Sequence, residues 1–194
     1  NLDWGKSAVL VGITWHPLFG TVMPDVLNLS TGAPFQPFNR SPQIRYQYKA
    51  NSRVQLTASV LWQLQYLSSG PKGMSEDYIK NSCIPEMFVG ADFTPADGWL
   101  MGLGIHMISL KPRTSTEWRE QAFKVKERMT AFSYEAHLKY SGRNYTFAAK
   151  TLMASVLDHT ALLGGYGVSS VDSRTGEQEY TPFRHSTTWV NFAY

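Results

Sequence analysis

Apolar and polar residues alternate with period two along most of the chain. Over 53–67, Val54, Leu56, Ala58, Val60, Trp62, Leu64 and Tyr66 fall on one side. Arg53, Gln55, Thr57, Ser59, Leu61, Gln63 and Gln65 fall on the other. A helix would scatter these residues around its axis, whereas a strand sends them to opposite faces. Ile44, Tyr46 and Tyr48 oppose Gln43, Arg45, Gln47 and Lys49 in the same way. Met87, Val89, Ala91 and Phe93 oppose Glu86, Gly90 and Asp92, with Phe88 breaking the polar row. Trp99, Met101, Leu103, Ile105 and Met107 oppose Gly102, Gly104 and His106. Phe132, Tyr134, Ala136, Leu138 and Tyr140 oppose Ser133, Glu135, His137 and Lys139. Weaker alternation over 7–19, 145–161 and 183–194 brings the expected total to about eight strands.

The connections carry a second pattern. Ala50-Asn51-Ser52, Thr94-Pro95-Ala96-Asp97 and Ser141-Gly142-Arg143-Asn144 read as short turns, while 20–41, 68–84, 112–125 and 162–179 are long. Long and short alternate strictly, which is the arrangement of an outer-membrane barrel with tight periplasmic turns and larger extracellular loops. Periodicity alone leaves a soluble lipocalin-like barrel binding an apolar ligand as an alternative, with its apolar face turned inward. Three features favour the membrane. Strands of about 9–15 residues reach the roughly 9–11 that a tilted bilayer path needs. Aromatic residues gather near strand ends, among them Trp15, Tyr46, Tyr48, Trp62, Tyr66, Phe93, Trp99, Tyr140, Tyr145, Phe192 and Tyr194, where rings suit the lipid–water boundary. The polar rows hold Gln, Ser, Thr, Gly and mixed charge, unlike a Lys/Glu-covered exterior. The expected fold is all-β, a transmembrane antiparallel up-and-down β-barrel or part of one, formed by a single domain over 1–194.

Composition narrows the function. Charged residues are 17% of the 194, below the roughly 25% of ordinary soluble domains. No apolar run approaches the roughly 18 residues of a membrane helix, so a closed barrel is the remaining way to satisfy the backbone in lipid. A net charge of +3 with no basic helix or recognition module argues against nucleic acid. The single cysteine, Cys83, excludes an intramolecular disulfide and a cysteine-rich metal site. The chain begins at Asn1 without an initiator Met, so either a leader has been removed or further sequence lies upstream.

The run Gly12-x-x-Trp15-x-Pro17-Leu18-Phe19 is followed by Thr31-Gly32-Ala33-Pro34-Phe35 and by Phe38-x-Arg40-x-Pro42-Gln43-Ile44-Arg45-Tyr46. These motifs resemble the DcaP-type outer-membrane porins, particularly versions from Bacteroidetes-like bacteria. The resemblance implies a barrel of about sixteen strands, commonly trimeric, passing small anionic solutes across the bacterial outer membrane. About half those strands are present and the family's N-terminal region is not, which points to a fragment of a longer porin. Val190, Phe192 and Tyr194 pull the other way, because they resemble the signal that ends many outer-membrane barrels. Eight strands closing there would make a structural or adhesion barrel acting through its loops.

A porin reading makes the polar rows the site. Arg45, Lys49, Arg53, Glu86, Asp92, His106, Glu135, His137, Lys139, Lys150 and Arg184 are the candidate pore-lining and solute-binding residues, since facing rows of charge select the sign of a permeant solute. Arg45, Lys49 and Arg53 share one hairpin and suggest anion preference; the alternative is that they pair with Glu86, Asp92 or Glu135 and only hold wall and loops together. Partners are then outer-membrane lipid or lipopolysaccharide, small hydrophilic solutes and a homotrimer, without a cofactor. The five histidines, His16, His106, His137, His159 and His185, have no helical i,i+4 ligand pair, so structural or solvated roles are expected and no metal site. Asp158-His159 has no nucleophile context, and Gly102-x-Gly104 lacks a third glycine and a following helix, so no enzyme is expected. Trp118, Ala122, Val125 and Met129 fall at helical spacing after Thr114-x-x-Glu117, consistent with a short helix in a loop or with a solvated basic loop. Ser75-Glu76-Asp77 is placed to cap one helical turn.

Overall fold

The computed structural model describes residues 2–26 and 32–194, so Thr31 of the quoted motif lies outside it. Every segment with clean alternation contains a strand, but over 53–67 the strand is confined to Val54–Leu61, and Trp62 to Leu67 already belong to the long connection that follows. In chain order the strands are β1 (Leu2–Asp3), β2 (Ser7–Trp15), β3 (Arg40–Lys49), β4 (Val54–Leu61), β5 (Ser69–Gly70), β6 (Gly73–Met74) and β7 (Glu86–Phe93). They continue with β8 (Trp99–Leu110), β9 (Ser115–Trp118), β10 (Gln121–Lys124), β11 (Met129–Ser141), β12 (Thr146–Ser155), β13 (Tyr166–Val171), β14 (Gln178–Pro182) and β15 (Arg184–Ala193). One helix, α1, spans Asp77–Ser82.

Nine strands form one sheet in the order β1-β2-β3-β4-β7-β8-β11-β12-β15, each antiparallel to its neighbour. The pairs β5–β6, β9–β10 and β13–β14 and helix α1 lie within the long connections, so the wall is an up-and-down meander. The count exceeds the expected eight because β1 and these short pairs are too brief to show a period in sequence. Among the described residues no pairing joins β15 to β1, so the sheet is open rather than closed on itself.

The two faces are inverted relative to a soluble protein. Val11, Ile13, Ile44, Val89, Leu103, Met153 and Val190 stand 52–68% exposed. In the alternate row Gln43, Ser59, Glu86, Ser133, Glu135 and Lys150 are 5% exposed or less. Soluble folds bury the apolar row and solvate the polar one, because apolar transfer from water is the dominant favourable term. The reversed preference is that of a wall with hydrocarbon outside it.

The inner row is covered by the long connections. After β2 the chain makes a 3₁₀ turn, Pro17–Phe19, on the inner face, where Leu18 packs with Leu61, Phe88, Leu152, Leu157 and Leu162. The same connection reaches β15, where Trp189 Nε1 donates to Gln36 Oε1 at 2.9 Å. A second core sits at the long-loop end, where Tyr78 and Ile79 of α1 pack with Ile108, Leu110, Met129 and Val156. Ser75 Oγ accepts the Asp77 N–H at 3.1 Å, the local capping expected there. Cys83 closes α1 with a left-handed backbone, φ 56°, and its thiol is exposed and unpaired.

The region 114–129 is not helical. β9 and β10 form a hairpin whose two-residue turn, Arg119-Glu120, holds φ 51° and 65°. Both values are positive, as a type I′ turn requires. The Glu177 carboxylate, between β13 and β14, accepts the Lys126 and Glu127 N–H groups at 2.6 and 2.9 Å and ties that hairpin to the base of this one. Those two N–H groups hold its carboxyl below the ordinary range.

Candidate functional site on the inner face

Strand register places the charged residues before any side chain turns. Gly102 lies between Asp92 and His137 on the neighbouring strands, and Gly104 lies between Gly90 and Glu135. Without a Cβ at Gly102 the His137 ring lies across the strand, and its Nε2 meets Asp92 Oδ1 at 3.0 Å. Phe88 lies over Gly90 and Gly104 in the same manner. The strand glycines thus make room for side chains of the inner row. A methyl at Gly102 would press on the His137 ring and stand 2.5 Å from Asp92 Oδ1. Gly102→Ala is therefore expected to break the Asp92–His137 contact at about 1–3 kcal/mol, the usual scale of overpacking. Urea unfolding in detergent measures it, and an unchanged midpoint would mean that the ring does not lie there.

His137 continues the chain of charge. Its Nδ1 is 3.5 Å from Glu135 Oε2, and Lys150, paired with His137 in register, brings Nζ to 3.0 Å from the same oxygen. Lys150 Nζ also donates to the Leu18 carbonyl, which fixes the 3₁₀ turn over the sheet. Asp92, His137, Glu135 and Lys150 thus form one alternating-sign ladder across β7, β11 and β12.

Arg45 differs from these residues. Its guanidinium donates to Trp15 O at 2.6 Å and to Gln43 Oε1 at 3.0 Å, and among the described residues it has no carboxylate partner. Lys49 and Arg53 are exposed and, with Asp92 and Thr21, line a recess of about 410 Å³ at the short-turn end. Lys139 is half-buried on the inner row towards the same end. Arg184 stands apart. It shares parity with Val190 and Phe192 in an unbroken strand, so the structure places it exposed on the outward row at the long-loop end.

The third group was not foreseen. Glu86, at the start of β7, receives His16 from the β2–β3 connection, His106 from β8 and His159 from the 3₁₀ turn Asp158–Thr160. Their Nε2 atoms stand 2.6, 2.6 and 2.9 Å from the same Glu86 Oε1, and all four side chains are fully buried. The two loop histidines titrate differently. Burial lowers His16 to about 4 against the pull of Glu86. Burial also depresses His159, but the Glu86 carboxylate, its hydrogen bond and Asp158 outweigh that, leaving it raised. Glu86 and His106 were legible as inner-row residues; His16 and His159 were not, because loop residues have no period. His106 and His137, both on polar faces, belong to separate groups, and His185 joins neither.

No protein-family model matches this chain, and no curated protein matches it significantly. Among solved structures, the crystal structure of the outer membrane channel DcaP of Acinetobacter baumannii superposes with a TM-score of 0.67 at 16% identity. The match covers 95% of this chain and 47% of that one, so the chain spans about half the length of that channel. At this identity the likeness establishes the fold, the antiparallel up-and-down wall of a transmembrane β-barrel. It is the fold implied by the resemblance of the Gly12 to Tyr46 motifs.

Proposed function

We propose that this chain builds part of the wall of an outer-membrane channel through which small hydrophilic solutes diffuse, with a preference for anions. The observation that carries the reading is the pairing of an exposed apolar row with a buried charged row on the same strands. The apolar row meets lipid and, at the long-loop end, Arg184 meets acidic headgroups or lipopolysaccharide. Water reaches the inner face at the short-turn end, where Lys49 and Arg53 are exposed, and the inward β2–β3 connection covers the rest of the charged row and narrows the passage. A homotrimer, the assembly implied by the resemblance of the Gly12 to Tyr46 motifs, is the assembly proposed here.

The charge balance supports the anion preference. Glu135 and Asp92 are offset by Lys150 and His137, and Glu86 by its histidines, whereas among the described residues Arg45, Lys49 and Arg53 have no acidic partner in contact. Within a Debye length of roughly 8–10 Å these three bases set the potential that an entering ion feels. The experiment is single-channel recording of the intact protein in planar bilayers under a salt gradient. An anion-directed reversal potential is expected, and Arg45→Glu should lower the anion-to-cation permeability ratio severalfold without closing the channel. Cation preference in the unmodified protein would remove the selectivity claim, and silence from folded protein would remove the channel.

A further inference from the structure

The geometry points to a metal site: we infer that His106, His159 and Glu86 bind a zinc-type divalent ion, with His16 as the outer partner that orients the carboxylate. Three imidazole nitrogens crowd one carboxylate oxygen, Glu86 Oε1, while Oε2 is buried and has no hydrogen-bond partner among the described residues. A carboxylate oxygen has two lone pairs, so three donors on one oxygen and none on the other is a poor hydrogen-bond arrangement. It is a good ligand arrangement, since two imidazoles and a carboxylate suit zinc and leave a further position open.

The ring nitrogens facing away from Glu86 separate the roles. His16 Nδ1 accepts the Leu18 N–H at 3.2 Å, which keeps the His16 proton on Nε2, directed at Glu86. Metal binding through that Nε2 would sacrifice the Leu18 bond. His106 Nδ1 and His159 Nδ1 have no partner, so the proton of either ring is free to move to Nδ1 and release Nε2 as a ligand. The candidate ligand atoms lie within 4.8 Å of one another. Ligands about 2.0–2.1 Å from a tetrahedral zinc stand roughly 3.3 Å apart. The carboxylate must therefore withdraw by several tenths of an ångström, and its unpartnered oxygen leaves it room to turn. A cavity of about 80 Å³ lined by His16, Pro17, Phe88 and Glu135 adjoins the cluster and supplies the approach from the inner face.

The ion would join the wall, through β7 and β8, to the 3₁₀ turn of the β12–β13 connection, and through His16 to the β2–β3 connection. It would act as a staple for the segments folded inward. The site rests on side-chain placement and not on the channel reading.

The test uses the intact protein folded in detergent, stripped of metal, loaded with zinc and dialysed. One zinc ion per chain is expected by elemental analysis, and cobalt in its place should give the visible bands of a low-coordinate site. His106→Gln and His159→Gln should each weaken zinc binding by roughly a hundredfold or more, His16→Gln by about 10–100-fold, and His137→Gln and His185→Gln not at all. X-ray absorption of the unmodified zinc form should show two imidazole ligands, a reading that stands even where a variant fails to fold. Substoichiometric zinc, retention in the His106→Gln/His159→Gln double variant, or absorption without imidazole would overturn the site. None of these readouts involves a bilayer, so their failure leaves the channel proposal untouched, and a silent channel leaves the zinc site untouched.

Discussion

Lys150→Met is expected to destabilise the folded wall by about 3–5 kcal/mol, the cost of leaving a buried charge without its partner. Lys150 and Glu135 are each 2% exposed at the side chain, with Nζ and Oε2 3.0 Å apart. Removing the ammonium leaves the Glu135 carboxylate facing only His137, which Asp92 already engages. The substitution also deletes the donor to Leu18 O, the polar tie between the β2–β3 connection and β12. Adding Glu135→Gln should recover much of the loss, because no buried charge is then orphaned. A double-mutant cycle by urea unfolding, followed by tryptophan fluorescence in lipid, should return a coupling of about 1–3 kcal/mol. A cost below about 1 kcal/mol for Lys150→Met would mean that water screens the pair as it does on a protein surface. The ladder would then be a wet lining rather than a structural brace.

The wall was legible in the sequence because lipid and lumen impose a strict period of two. Residues 53–67 assigned Leu61 to the polar row, and Leu61 is indeed inward, buried against Leu18. Phe88, the intruder in the β7 polar row, also points inward, over Gly90 and Gly104. Neither is an exception to the alternation; each is where the inward connections need an apolar contact. What stayed hidden lies in those connections. His16 and His159 are separated from Glu86 by 70 and 73 positions and sit on 3₁₀ turns, so no spacing rule could bring them together. The β9–β10 hairpin was masked by coincidence. Trp118, Ala122, Val125 and Met129 repeat at helical spacing, and the Arg119-Glu120 turn lacks the Asn-Gly or Asp-Gly signal of a type I′ turn. Arg184 has a readable phase: counted back from Phe192 and Val190 it falls on the outward row, and only its charge suggests the lumen.

Leu103→Arg should decide which solvent surrounds the wall. Leu103 is 67% exposed on β8, near the middle of its span, between the outward Ala91 and Ala136 on the adjoining strands. With hydrocarbon outside, an arginine near the bilayer midplane costs about 2–4 kcal/mol, because a charge there must be hydrated or snorkel to the interface. With water outside, the same change touches nothing and falls within about 0.5 kcal/mol. The companion variant is Thr57→Arg, on the inner row of β4, which with Arg45 lines the same cavity as His16, Phe88 and Glu135, so that a new base faces the lumen. It should leave stability nearly unchanged and strengthen anion preference. Folding into vesicles and urea titration give both free energies, and bilayer recording gives the selectivity of Thr57→Arg. If Leu103→Arg is tolerated while Thr57→Arg unfolds the protein, water surrounds the sheet and the charged row is a protein core, which would remove the membrane assignment together with the channel built on it.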